Sequence, residues 1–211
     1  INEVVANIAI RKLGGTLGDY SIVHPNDHVN CGQSTNDIVP TAGKMTTLVL
    51  LQELKQSLTH LKSKFDEKAV EFDSIIKMGR TQMQDAVPIR LGQEFHAYAS
   101  AIHRDINRID NIRSQIAVLN MGATAIGTGI NSDPDYPALC CKYLAEVTGL
   151  PMVVSPNMIE ATNDTGAFVM NSSAMKRLAV KLSKICNDLR LMSSGPRTGL
   201  GEINLPAKQN G

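Results

Sequence analysis

Apolar residues recur at steps of three and four over three stretches of this chain. Leu51, Leu54, Leu58, Leu61 and Phe65 lie in a first run, from Thr35 to about Phe72. Phe95, Ala99, Ile102, Ile106, Ile109, Ile116 and Leu119 mark a second, from about Gly92 to Asn120. Met175, Leu178, Leu182, Ile185, Leu189 and Met192 mark a third, from about Ile159 to Met192, closed by Gly195-Pro196. This is the spacing of helices that pack through a seam. Pro40 falls near the start of the first helix, where a missing N–H does least harm. Shorter helices are predicted at 2–12, closed by Gly14-Gly15, and from Pro134 to Val147. Segments 13–33, 73–91 and 149–157 read as loops and connections, and so does the glycine-rich run Gly122 to Gly129. No alternating pattern of useful length predicts a strand. The expected fold class is therefore all-α, a long-helix bundle with residues 1–211 as one helical domain. Helices of about 30 residues span about 45 Å each. Such lengths are large for one small globule, so a second face of each helix is expected to meet another subunit.

Composition narrows the classes of function. Twenty-one basic and 20 acidic residues are well mixed, for a net charge of +1, which gives no footprint for nucleic acid or a membrane surface. Aromatics are 4% and tryptophan is absent, so base-stacking platforms are not expected. No apolar run approaches the roughly 20 residues of a membrane span, and no secretory signal is visible. Cys31, Cys140, Cys141 and Cys186 have no metal-ligand spacing, and the adjacent Cys140-Cys141 is a poor disulfide pair. A reduced, cytoplasmic setting is expected, with no cofactor and no metal. The chain starts at Ile1 and stops at Asn210-Gly211 after a loop-like stretch, so it is expected to be a piece of something longer.

The densest candidate chemistry is Ser34-Thr35-Asn36-Asp37, placed just before the first long helix. Short hydroxyls and the free N–H groups of a helix start can hold a small carboxylate without a full counter-charge. The same four residues fit a Ser-x-x-Asp capping pattern, which locally is the simpler reading. A second polar stretch runs from Gly79 through Arg80, Thr81, Gln82, Met83, Gln84 and Asp85 to Pro88. Thr81 and Gln82 offer a hydroxyl and an amide suited to orienting a carboxylate or an amine. Arg80 could pair with a carboxylate bidentately, but the favoured reading has Arg80 and Asp85 bonding each other to hold the loop.

Other features carry weaker signals. His24, Asn26, Asp27, His28 and Asn30 lie in the loop before the first long helix. Ligand or acid–base roles are open to them, but a solvated turn with Asn/Asp backbone bonds is the favoured reading. The glycine-rich run lacks the Lys-Ser/Thr ending of a phosphate loop, leaving a backbone that approaches a ligand, or a tight interhelical turn. His60, His96 and His103 fall within helical periods and read as packed or surface residues.

Taken in order, these stretches resemble the fumarase/aspartase superfamily. The resemblance rests on Asn2-Glu-Val-Val-Ala-Asn7, His24-Pro-Asn-Asp-His-Val-Asn30, Gly32-Gln-Ser-Thr-Asn-Asp37 and Gly79-Arg-Thr-Gln-Met-Gln-Asp-Ala-Val-Pro88. Leu91-Gly-Gln-Glu-Phe95, Gly122 to Gly129, Lys181 to Arg190 and Gly195 to Pro206 complete it. It covers essentially the whole chain. It implies the central helical domain of that fold, in a homotetramer whose sites are each shared by three subunits. Fumarate-hydrating members usually carry Asp at the position of His28 and Thr-His at that of Thr81-Gln82. The ammonia-eliminating branch fits better, which implies reversible anti elimination of ammonia from L-aspartate to give fumarate. Hydration of fumarate to L-malate is the alternative, and a non-catalytic helical oligomerisation module is the alternative of another class.

Residue by residue, the resemblance places Ser34 and Thr35 at the β-carboxylate, Asn36 at the amino group and Thr81 at the α-carboxylate. Gln82 faces the leaving group, where it can orient but not shuttle a proton. His24, Asn26 and Asp27 resemble a secondary anion-binding loop. The family's upstream Gly-Thr-rich motif would precede Ile1. Its mobile loop, with a serine base, a lysine and an asparagine, would follow Gly211. No catalytic base is therefore expected within residues 1–211, and this piece is expected to be inactive by itself.

Overall fold

The computed structural model describes residues 1–208. The chain divides into two compact units, Ile1–Leu48 with Ser114–Thr165, and Val49–Arg113 with Gly166–Gly211.

The first unit opens with α1 (Asn2–Lys12), whose Ala6 and Ile10 are fully buried. A single π-helical turn, Pro25–Val29, follows. The start of α2 (Thr35–Glu71) comes next, with Asp37, Thr41, Lys44 and Leu48 on its buried face. These step by 4, 3 and 4 residues, so one stripe of the helix turns inward even though most of its members are polar. The end of α3 (Leu91–Ile116) leads into the two-residue strand β3 (Val118–Leu119). β3 pairs in parallel with β4 (Val153–Val154), in the register Val118 to Val153 and Leu119 to Val154. Between them lie the glycine-rich loop and α4 (Tyr136–Thr148), which ends on Gly149 in the left-handed region. α5 (Met158–Asn163) is capped by Asn157 Oδ1, which accepts from the N–H groups of Ile159 and Glu160 at 3.1 and 3.0 Å.

The second unit is built on the seams read from the sequence. α3 buries Leu91, Phe95, Tyr98, Ala99, Ile102, Ile106, Ile109 and Ile112. α6 (Gly166–Met192) buries Leu178, Ile185 and Met192, and this part of α2 buries Leu51 and Leu58. Each fully buried Leu or Ile contributes roughly 1.5–3 kcal/mol. Four rings, Phe65, Phe72, Phe95 and Tyr98, meet at centroid distances of 5.1–6.2 Å, mostly edge to face, which suits their quadrupoles.

Three expectations are corrected. Residues 73–91 are not a loop: β1 (Ile76–Thr81) and β2 (Gln84–Arg90) form an antiparallel hairpin. Neither strand buries a clean face, so no alternation was there to be read. Gly79 and Pro88 look like breakers, yet a register irregularity between Met78 and Arg80 accommodates them. A Cβ at position 79 would lie 2.8 Å from the Val87 carbonyl, so only glycine fits. Second, the long helix expected to run to Asn120 stops at Ile116, because Ala117 and Leu119 use their carbonyls to accept from Val153 and Ser155. Ile116 and Leu119 are both buried although the helix ends between them, so apolar periodicity does not mark the break. Third, the helix expected from Ile159 to Met192 is broken. Asp164 is extended, and the run Asn163-Asp164-Thr165-Gly166 favours local bonds over helix continuation.

Candidate functional site

The start of α2 is a closed capping box. Ser34 Oγ accepts from the Asn36 N–H at 3.1 Å, and Asp37 Oδ1 accepts from the Ser34 N–H at 3.0 Å. The Ser34 carbonyl takes the N–H groups of Asp37 and Ile38. Among the described residues of this turn, Thr35 is left with both its N–H and its hydroxyl unused, and it is exposed. The cap and a ligand site are thus compatible, but the helix offers fewer free N–H groups than the sequence suggested.

Asp37 does more than cap. It is fully buried, and its second oxygen accepts from the Thr124 N–H at 3.0 Å. One carboxylate therefore joins the helix start to the glycine-rich loop, using one oxygen for each. Thr124 is buried in the left-handed region at φ 58°. Such a conformation costs a non-glycine residue roughly 1–2 kcal/mol. The bond to Asp37 offsets part of that cost. Farther along the loop, Gly127 at φ 97° lies so close to α5 that a Cβ would sit 2.4 Å from Ile159 Cα.

Asn36 is exposed, and its Nδ2 donates to the Ala125 carbonyl at 2.7 Å. Its own carbonyl accepts from buried Asn120 Nδ2 at 3.0 Å, and the same Nδ2 lies 3.2 Å from Thr162 Oγ1. Two turns into α2, Lys44 is buried and donates to the Val118 carbonyl at 2.7 Å. Burial pushes its pKa down, against the pull of Glu160 and Asp164. The region around Ser34–Asn36 is thus fixed by α2, the segment 117–125 and α5.

The other candidate pair sits in the second unit. Thr81 is the exposed last residue of β1, and Gln82 is the first of the two residues at the hairpin tip. Gln82 and Met83 have φ of 52° and 62°. Two positive values define the turn type that matches strand twist, but it normally uses Asn-Gly. Gln82 and Met83 hold it without a glycine, so strain of about 1–2 kcal/mol per residue accumulates at the tip.

Arg80, one residue before Thr81, is anchored. Its guanidinium binds Glu202 bidentately at 2.7 and 3.1 Å. Lys77 bridges the same carboxylate at 3.2 Å and Glu94 at 3.0 Å. Asp85, the sequence-based choice of partner, faces Arg80 across the ladder but stays 3.7 Å from its Nε. The reason is geometric: Glu202 meets the guanidinium fork with two oxygens, whereas Asp85 is mostly exposed to water. Arg80 first, and Lys77 after it, hold the Glu202 carboxyl below its usual range. Beside the hairpin lies a cleft of about 390 Å³ lined by Lys77, Arg80, Met83, Glu94, Tyr98 and Asp188. Burial, and then Asp188, push the Tyr98 phenol up, and its hydroxyl donates to Asp188 at 3.1 Å. A larger cleft of about 750 Å³, lined by Asp66, Asp73, Arg90, Gln93 and His96 among others, contains none of the sequence-predicted residues.

The loop at 24–30 is closed on itself. His24 Nδ1 accepts from the N–H groups of Asn26 and Asp27, both at 3.2 Å, and lies 3.2 Å from Asp27 Oδ2. His28 Nδ1 in turn accepts from the His24 N–H at 2.8 Å. The N–H groups that would hold an anion are therefore engaged by a histidine. His60, His96 and His103 are exposed on their helices.

The structure thus gathers Ser34, Thr35 and Asn36 with the glycine-rich loop in one unit, and places Thr81 and Gln82 in the other. Sequence reasoning missed the second bond of Asp37, the part of Asn120 and the part of Glu202. Asn120 closes an apolar run, which was the available signal. Glu202 is 122 residues from Arg80, with no local signal at all.

Known proteins resemble the chain over its whole length. The chain is 55% identical over 211 residues to an aspartate ammonia-lyase of Helicobacter pylori, and 52% identical over 210 residues to one of Bacillus subtilis. In both cases all of this chain is covered, with 45% and 44% of the relative, so the chain spans about half the length of the curated relatives it matches. A crystal structure described as a fumarate lyase:delta crystallin from Brucella melitensis bound to cobalt superposes with a TM-score of 0.94 at 49% identity. It covers all of this chain and 46% of that one. A class II fumarase from Schistosoma mansoni gives a TM-score of 0.92 at 35% identity, with 47% of its chain covered. The sequence pattern of the family described as lyase matches residues 1–211 throughout, and the chain belongs to that family.

Proposed function

We propose that the complete protein is an aspartate ammonia-lyase, a carbon–nitrogen lyase that reversibly eliminates ammonia from L-aspartate to give fumarate. The observation that carries this reading is the identity of 52–55%, across the whole chain, with proteins bearing that name. The class II fumarase shares the fold at a lower 35%.

In this reading Ser34 and Thr35 hold the β-carboxylate, Asn36 meets the amino group, Thr81 holds the α-carboxylate and Gln82 orients the leaving group. A serine on a mobile loop beyond Gly211 removes the proton from the carbon beside the β-carboxylate. The electron pair moves into that carboxylate, which becomes a doubly charged aci-form. It then returns to form the carbon–carbon double bond as the C–N bond breaks and ammonia departs. Hydroxyl and amide dipoles fixed in advance around the β-carboxylate lower the barrier, because they need no reorganisation when the charge develops. Thr35 fits that task, being exposed with its N–H and hydroxyl unused on a rigid helix start.

The site is completed by association, with three subunits of a homotetramer contributing to each active site. Exposed apolar residues on the long helices, among them Val49, Leu50, Val169, Met170 and Val180, support burial against other copies. Four unpaired cysteines suit a reducing, cytoplasmic setting. Among the described residues no helix is long and apolar enough to cross a membrane. His24, Asn26 and Asp27 remain a second anion site in this proposal, open to an anion only if His24 releases the loop N–H groups. The test is to supply the complete protein with L-aspartate and with L-malate and follow fumarate by ultraviolet absorbance. Fumarate from L-aspartate is expected. Fumarate from L-malate only would make the protein a fumarate hydratase, and fumarate from neither would leave a helical oligomerisation module.

A further inference from the structure

The side chain of Asn36 is oriented by a group outside its own helix. Its Nδ2 donates to the Ala125 carbonyl at 2.7 Å. A carbonyl only accepts, so the atom facing it has to be the amide NH2, and Oδ1 points away. Asn36 is exposed, and among the described residues nothing donates to that Oδ1.

The carbonyl is itself held. Thr124, the preceding residue, is buried at φ 58° and gives its N–H to Asp37 Oδ2 at 3.0 Å. Asp37 keeps its other oxygen on the Ser34 N–H. Asn120 grips the Asn36 carbonyl. Backbone and side chain of Asn36 are therefore both fixed, with one acceptor atom presented outward.

We propose that the Ala125 carbonyl, held in place through Asp37, is a selectivity device. It locks Asn36 as a hydrogen-bond acceptor, so that the site favours a four-carbon dicarboxylate bearing an ammonium group over the same acid without one. This rests on the placement of Asn36 at the amino group under the proposed function. A freely rotating amide presents NH2 as readily as oxygen. An ammonium has only donors, so half of those orientations are useless to it. Tethering removes them before the substrate arrives. Asp37 acts here as a positioning residue, since both its oxygens are spent on backbone N–H groups.

The test compares the KM for L-aspartate with the inhibition constant of succinate, a dicarboxylate without an amine, in the complete protein. Asn36→Ala and Asn36→Asp are the variants. Aspartate is nearly isosteric and carries a negative charge, so an untethered acceptor would bind ammonium at least as well in Asn36→Asp. With the tether, the new carboxylate faces the Ala125 carbonyl without a donor and turns away. The KM for L-aspartate is expected to rise roughly tenfold in both variants, from one lost hydrogen bond, with the succinate constant moving less than about twofold. An Asn36→Asp protein with a KM at or below wild type overturns the tether. An unchanged KM in Asn36→Ala overturns the placement of Asn36 at the amino group instead, and the tether falls with it. Equal loss of succinate binding shows that Asn36 serves the carboxylates, and overturns the selectivity. For Asp37, the Asp37→Asn protein is expected to shift the L-aspartate KM more than the succinate constant. Equal shifts would confine Asp37 to helix capping.

Discussion

Asp37→Asn removes one negative charge and replaces one carboxylate oxygen with an NH2 at a fully buried point of the first unit. The native carboxylate gives one oxygen to the Ser34 N–H and the other to the Thr124 N–H, each at 3.0 Å. An asparagine has only one oxygen, so whichever way it sits, one backbone N–H faces an NH2. A hydrogen bond to a charged acceptor is worth about 1.5–3 kcal/mol, and an unpaired buried donor costs about 1–3 kcal/mol. These overlap, so the net loss is about 2–4 kcal/mol. The loss falls on the weaker end, which is the loop, because the helix start keeps its Ser34 Oγ bond to Asn36. Thr124 also sits in a conformation that favours release. Amide hydrogen exchange followed by mass spectrometry on the complete protein reads this directly. Protection over 120–129 is expected to drop roughly 30- to 700-fold, since each 1.4 kcal/mol is tenfold. Peptides from the middle of α3 are expected to be unchanged. Equal protection in the variant and wild type over 120–129 would refute the two-oxygen reasoning.

Other outcomes follow from the same geometry. Thr81→Ala in the complete protein is expected to lower kcat/KM roughly 10- to 100-fold, from one lost carboxylate hydrogen bond, and unchanged kinetics would remove Thr81 from the site. Because the folded Glu202 carboxyl titrates below its usual range, its pairing with Arg80 is complete above the ordinary carboxylate pKa and is lost as pH falls through the depressed value. Exchange protection of β1 is therefore expected to fall in acid below the usual Glu range, and Glu202→Gln to be less protected at neutral pH with a flatter acid response. A β1 that responds to acid identically in both proteins would contradict the anchor. Gly127→Ala is expected to destabilise the loop–α5 contact by at least about 2 kcal/mol, read as raised exchange at 122–129 and 157–163, because a Cβ meets Ile159 backbone at 2.4 Å in a left-handed conformation.

Legibility in the sequence followed the physics of each element. The helix seams were plain because Phe95, Ala99, Ile102, Ile106 and Ile109 turn one face to a core, and all are buried. The hairpin at 76–90 was hidden because neither strand alternates between a buried and an exposed face, and the strands carry Gly79 and Pro88. Strand β3 was hidden because two residues paired with distant Val153 and Val154 leave no local pattern. The candidate site was half legible. Ser34 and Asp37 announced a cap through their spacing, and the cap is there. The reach of Asp37 to Thr124 spans 87 residues, and that of Arg80 to Glu202 spans 122. Charge complementarity over such distances fixes no partner until the fold brings the groups together, so the sequence alone points Arg80 to the nearer Asp85.

The most direct test is a structure of the complete protein with succinate or L-aspartate bound. The expected result is a ligand carboxylate against Ser34 and Thr35 of one copy, the other carboxylate against Thr81 of a second copy, and the amino group of L-aspartate on Asn36 Oδ1. A ligand bound away from Ser34–Asn36, or one whose contacts all come from a single copy, would contradict a shared site built on this helix start.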